Sequence, residues 1–97
     1  MKLPGAFWQK QTKPMYEILI TASAEKTLDK LPAQAAKRLV EAIYKLADQP
    51  RPTGCVKLFG SENYRIRVGD YRVIYSIIDA TLVVEVVKVG SRKEVYK

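Results

Sequence analysis

The chain has no histidine, a single cysteine and ten acidic side chains against seventeen basic ones. Without histidine there is no imidazole for acid–base chemistry, and the two-histidine ribonuclease scheme is excluded. The lone Cys55 has no partner for an internal disulfide, which suits a reducing compartment and a cytoplasmic location. No His/Cys/carboxylate grouping has metal-ligand spacing, so neither a metal nor another cofactor is expected. No apolar run approaches the ~20 residues of a membrane span, and the first residues are neither long nor apolar enough for a signal peptide. The shortage of acids leaves a net charge of +7 and a pI near 9.6. That balance fits a polyanionic partner, whether nucleic acid, acidic protein or anionic membrane, although basic surfaces also serve plain solubility. A hydrophobic share of 47% excludes disorder, and 97 residues support one domain with one core.

Residues 1–14 are polar and basic with two prolines and no periodicity, so they are expected to form a flexible extension ahead of a single domain over 15–97. Met15 to Ile20 is a short apolar stretch predicted as a strand. Ser23 is placed to cap a helix running to about Leu31, and Pro32 suits the first turn of a second. In that second helix Ala36, Leu39, Val40, Ile43, Leu46 and Ala47 form one apolar stripe. Lys37, Arg38, Glu41, Lys45 and Asp48 fall on its other face, and Gln49-Pro50 ends it. The remainder reads as sheet. Val56 to Phe59 is a candidate short strand; Tyr64 to Val68, Tyr71 to Ile78 and Leu82 to Val89 are rich in β-branched and aromatic residues. With turns at Gly69-Asp70 and Asp79-Ala80 the last three form an antiparallel meander. The sum is an α+β fold, with two N-terminal helices packed on one face of a mainly antiparallel sheet of about four strands.

The stretch 64–68 alternates. Tyr64, Ile66 and Val68 point to the helices, and Arg65 and Arg67 point away. If Gly69-Asp70 is a two-residue turn, Arg67 lies directly across from Arg72. Like charges in that relation destabilise a sheet by up to ~1 kcal/mol. A bound anion reverses the sign of the interaction, so the face reads as a phosphate site. A solvated, salt-screened face, partly neutralised by Glu85, is the alternative. Arg92, just past the last strand, and the near-terminal Tyr96 add a cation and a stacking surface that favour the phosphate site.

Together with the order of elements, the segments Tyr64-Arg65-Ile66-Arg67, Gly69-Asp70-Tyr71-Arg72-Val73-Ile74-Tyr75 and Val89-Gly90-Ser91-Arg92-Lys93-Glu94-Val95-Tyr96 resemble RelE-type toxins of the RelE/ParE superfamily. The similarity runs from Met15 to Lys97. It implies a RelE-like domain that enters the ribosome and cuts mRNA there, blocked by an acidic antitoxin encoded alongside. By matching positions it implies that Arg65, Arg67, Arg72, Arg92 and Tyr96 are the catalytic residues, with Arg65, Arg67, Arg72 and Tyr96 binding RNA. Arg65 and Arg67 stand where the well-studied RelE type has lysines, and Ser91 where many relatives carry histidine.

Without histidine or a metal set, the route open to such a site is attack by the substrate's own 2′-OH on the adjacent phosphate, giving a 2′,3′-cyclic phosphate and a 5′-OH. Arg72 and Arg67 would hold the phosphate, Arg65 the attacking side, Arg92 the leaving oxygen, and Tyr96 would stack on a base. Arginine titrates above about 12 and is a poor proton acceptor, so the ribosome would have to supply the in-line geometry. The resemblance leaves a second reading open, the ParE branch, which poisons DNA gyrase without cutting RNA. A non-catalytic RNA-binding domain is a third.

Overall fold

A computed structural model describes residues 15–91; the expected N-terminal extension, Arg92 and Tyr96 lie outside them. The elements run β1 (Glu17–Ile20), α1 (Ala22–Lys30), α2 (Ala33–Lys45), β2 (Val56–Lys57), β3 (Asn63–Val68), β4 (Tyr71–Ile78) and β5 (Val83–Ser91). The sheet order is β1-β5-β4-β3-β2. The β2–β5 part is antiparallel throughout, and β1 joins β5 in parallel after the chain has passed through both helices. The fold is the expected α+β arrangement, with five strands because Val56 and Lys57 pair with Arg65 and Tyr64. The candidate strand from Val56 to Phe59 stops after two residues. The Leu58 N–H bonds to the Asn63 carbonyl at 2.9 Å and the chain turns at Gly60, whose φ is +76°.

Both helices lie on one face. The α2 stripe behaves as its spacing requires: Leu39, Ile43, Leu46 and Ala47 are buried, and Ala36 and Val40 half-buried. They meet Ile66, Val73, Tyr75, Val84, Val86 and Val89, with Ala24 and Leu28 contributed by α1. Among the described residues this is the core of the domain.

Helix α1 corrects the sequence reading at its start. Thr21, not Ser23, is the N-cap: its backbone is extended and its Oγ1 accepts from the Ala24 N–H at 3.2 Å. Ser23 lies inside the first turn. Thr21 also reaches the sheet. Its N–H donates to the Val86 carbonyl at 3.0 Å and its hydroxyl to the Val87 carbonyl at 3.3 Å. Thr21→Ala therefore removes a helix cap and a tie to β5, and is expected to lower the unfolding free energy by about 1–2 kcal/mol. Urea unfolding with an unchanged m-value would register that loss, and a shift of a few tenths would refute the assignment.

The β4–β5 connection is longer than the predicted Asp79-Ala80 turn. It spans Asp79–Leu82, with Leu82 at φ +55°. At this end of the sheet a polar network holds the chain that follows α2. Arg51 pairs with Asp79 at 3.0 Å, Tyr16 donates to the same carboxylate at 2.6 Å, and Arg51 lies 5.3 Å over the Tyr64 ring. Tyr64 stacks on Tyr75, and the Tyr75 hydroxyl donates to the Pro50 carbonyl at 2.7 Å. The Arg51 hydrogen bond, with help from Tyr16, holds Asp79 below its usual range, and burial pushes Tyr75 up. These shifts belong to a structural clasp on the helix side of the sheet.

Candidate functional site

The β3–β4 hairpin has the two-residue turn the sequence predicts. Gly69, at φ +62°, occupies the first central position, a conformation that L side chains adopt only under strain. That turn fixes the register. Val68 faces Tyr71, Arg67 faces Arg72, Ile66 faces Val73 and Arg65 faces Ile74. Since Ile66 and Val73 are buried under the helices, Arg65, Arg67 and Arg72 project together from the opposite, open face.

Their environments differ. Arg67 is exposed and Arg65 half-buried, but Arg72 is only 4% exposed and its Nε has no hydrogen-bond partner. Arg72 thus lies on the expected face but is covered there, which does not fit the alternative of a fully solvated face. Among the described residues the ion pairs join Arg51 to Asp79 and Lys57 to Glu62, and neither involves Arg67 or Arg72. Glu85 does share the open face, but it stands opposite Ser76, about 13 Å along β4 from Arg72 at the usual rise per residue.

Two further cations come close that the sequence reading did not place here. Arg38, on the exposed side of α2, lays its guanidinium against the hairpin turn: a Cβ at Gly69 would sit 3.5 Å from its Nη2. Lys88 arrives by a break in periodicity. Val84 and Val86 are buried, so strict alternation would put residue 88 on the helix side with them. The register instead steps from Tyr75↔Val86 to Ile74↔Lys88, leaving Val87 as a bulge. Beyond the bulge the phase is inverted: Val89 enters the core and Lys88 is exposed on the open face.

The open face is therefore polarised along the strands. Toward the hairpin turn lie the rows Arg67–Arg72–Gly90 and Val56–Arg65–Ile74–Lys88, and toward the other end lie Asn63–Ser76–Glu85–Leu19 and Ile78–Val83–Glu17. The first pair of rows is cationic. The second carries the exposed apolar side chains Leu19 and Ile78, at 44% and 42%, beside two carboxylates. Among the described residues no group of His, Cys, Asp and Glu could hold a metal ion, and no helix is long and apolar enough to cross a membrane. What the cationic end can do is bind an oxyanion through several guanidinium groups at once.

A family model for the ParE toxin of the type II toxin–antitoxin system parDE matches residues 18–96. The toxin RelE of Mycobacterium tuberculosis is 33% identical over 84 residues, spanning 84% of this chain and 87% of that protein. Among solved structures, the RelE–RelB complex of the archaeon Pyrococcus horikoshii matches with a TM-score of 0.74 at 32% identity, covering 82% of this chain and 98% of that one. The isolated RelE toxin of E. coli matches with a TM-score of 0.70 at 31% identity, covering 84% and 90%.

Proposed function

The chain belongs to the RelE/ParE superfamily of type II toxin–antitoxin toxins, and from that membership we propose that it is a metal-independent, ribosome-dependent endoribonuclease that cuts mRNA and is neutralised by a cognate acidic antitoxin. One observation carries the reading: Arg72 is buried with an unsatisfied Nε directly across from Arg67. A buried N–H donor without an acceptor costs about 1–3 kcal/mol, and native folds rarely leave one without a partner. A phosphodiester supplies both the charge and the acceptors.

The roles follow from position. Arg72 and Arg67, facing each other on neighbouring strands, grip the non-bridging oxygens of the scissile phosphate and offset the charge that grows there. Arg65, one row along the same strand face, screens the attacking side. Arg92 and Tyr96, outside the described residues, are assigned to the leaving oxygen and to base stacking. The nucleophile is the substrate's 2′-OH, and the ribosome aligns it, because guanidinium groups bind and screen but do not accept protons at neutral pH. The antitoxin is a short acidic segment laid over the cationic end of the open face in the cytoplasm.

The family model names a ParE toxin, the branch for which the resemblance leaves open a second reading, inhibition of DNA gyrase without any cleavage. The two separate in purified systems. Added to a reconstituted translation reaction, the protein is expected to stop synthesis and leave mRNA fragments ending in 2′,3′-cyclic phosphate, and to leave gyrase supercoiling untouched. Blocked supercoiling with intact mRNA would establish the gyrase reading instead.

A further inference from the structure

The hairpin brings only guanidinium groups, those of Arg65, Arg67 and Arg72, to the open face and no amine. The bulge at Val87 brings one from β5. Lys88 shares the row Arg65–Ile74–Lys88, two strands and therefore about 10 Å from Arg65 at the backbone. It is also the diagonal neighbour of Arg72, which faces Gly90, roughly 7–8 Å away. Gly90 offers no side chain to intervene, and Ile74, 6% exposed, forms an apolar floor between the charges. Lysine and arginine side chains span such gaps, so the ammonium can meet the same phosphate that Arg72 holds. Thr21 fixes the arrangement from another element by accepting no slack in the bulge: it bonds the carbonyls of both Val86 and Val87. A bulge that re-aims one side chain beside a site is a recurrent device.

We propose that Lys88 is a catalytic residue of this protein, the proton donor to the 5′-oxygen that leaves during RNA cleavage. The inference rests on the nuclease reading above. In the step, the 2′-oxygen forms a bond to phosphorus and its proton passes to water. The bond from phosphorus to the 5′-oxygen breaks, and the electron pair stays on that oxygen, which takes a proton from Lys88 Nζ. The neutral amine then regains a proton from water. Arginine cannot perform this transfer, since it holds its proton far above the pH of the reaction.

The test pairs two Lys88 variants with two substrates on programmed ribosomes. One mRNA carries the ordinary linkage at the cut site, and the other a bridging 5′-phosphorothiolate whose sulfur leaves as a thiolate without needing a proton. With the ordinary linkage, Lys88→Met and Lys88→Arg are both expected to cut about 10²-fold more slowly or worse than the parent. With the sulfur linkage both should cut within a few-fold of the parent, which also reports that the variants are folded and bound. Parental rates for Lys88→Arg on the ordinary linkage would reduce Lys88 to a mere charge and overturn the proposal. So would a defect of equal size on both substrates. A parent protein that cut neither mRNA would instead sink the nuclease reading, and this inference with it.

Discussion

Arg72→Met is expected to slow cleavage by roughly 10²–10³ and to make the protein more stable. The two effects have one cause. Arg72 is buried, its Nε is unsatisfied and its cross-strand neighbour is another arginine, so it carries an unpaired buried donor and a like-charge neighbour. An unbranched apolar side chain of similar length removes both, a gain on the order of 1–3 kcal/mol, the cost of an unsatisfied buried donor. The same exchange removes a preorganised donor to the phosphate, whose loss costs roughly 10²–10³ in rate. Urea unfolding of the free toxin and cleavage on programmed ribosomes would measure the two quantities separately. A variant that lost activity and stability together would show Arg72 to be a structural residue. One that kept the parental cutting rate would remove it from the site. Stability gained where activity is lost is the mark of a residue kept for binding at the expense of the fold.

The pairing of Arg67 with Arg72 was legible in the sequence because a Gly-Asp turn of two residues leaves the hairpin one register, and register dictates every pair behind it. The α2 stripe was legible for a similar reason, since spacing within one element is local information. What escaped depends on contacts between distant parts of the chain. The parallel alignment of β1 with β5 unites segments more than sixty residues apart (Glu17 with Val83, for example), and no local pattern announces it. Thr21 outcompetes Ser23 as the cap because its hydroxyl reaches both the Ala24 N–H and the Val87 carbonyl, the second of which belongs to β5. Lys88 was hidden by the bulge, which inverts the alternation that a strand reading assumes. Arg72 could be placed on its face but not in its state of burial, because exposure depends on what surrounds a side chain as well as on the direction it points.

Replacing the ribose at the cut position by deoxyribose is expected to stop cleavage of that linkage altogether, a larger effect than any single side chain should produce. The 2′-OH in this mechanism is the nucleophile itself, so its loss removes the full acceleration, typically about 10⁶-fold or more, whereas each guanidinium only lowers the barrier to its attack. Binding should be nearly unaffected, because the cationic rows of the open face address phosphates and the missing hydroxyl bears no charge. The deoxy message should therefore act as a competitive inhibitor of cutting on the ordinary message, with an inhibition constant close to the KM of the parent substrate. Cleavage of the deoxy linkage at a measurable rate would mean that water or a side chain attacks phosphorus. In that case the site would need a base near the phosphate; among the described residues the strand carboxylates of that face, Glu85 and Glu17, stand at the end remote from Arg72, and Asp70 lies in the hairpin turn beside it. Under the proposed function the guanidinium groups would serve self-attack by binding the phosphate and screening its charge, with no proton accepted by arginine.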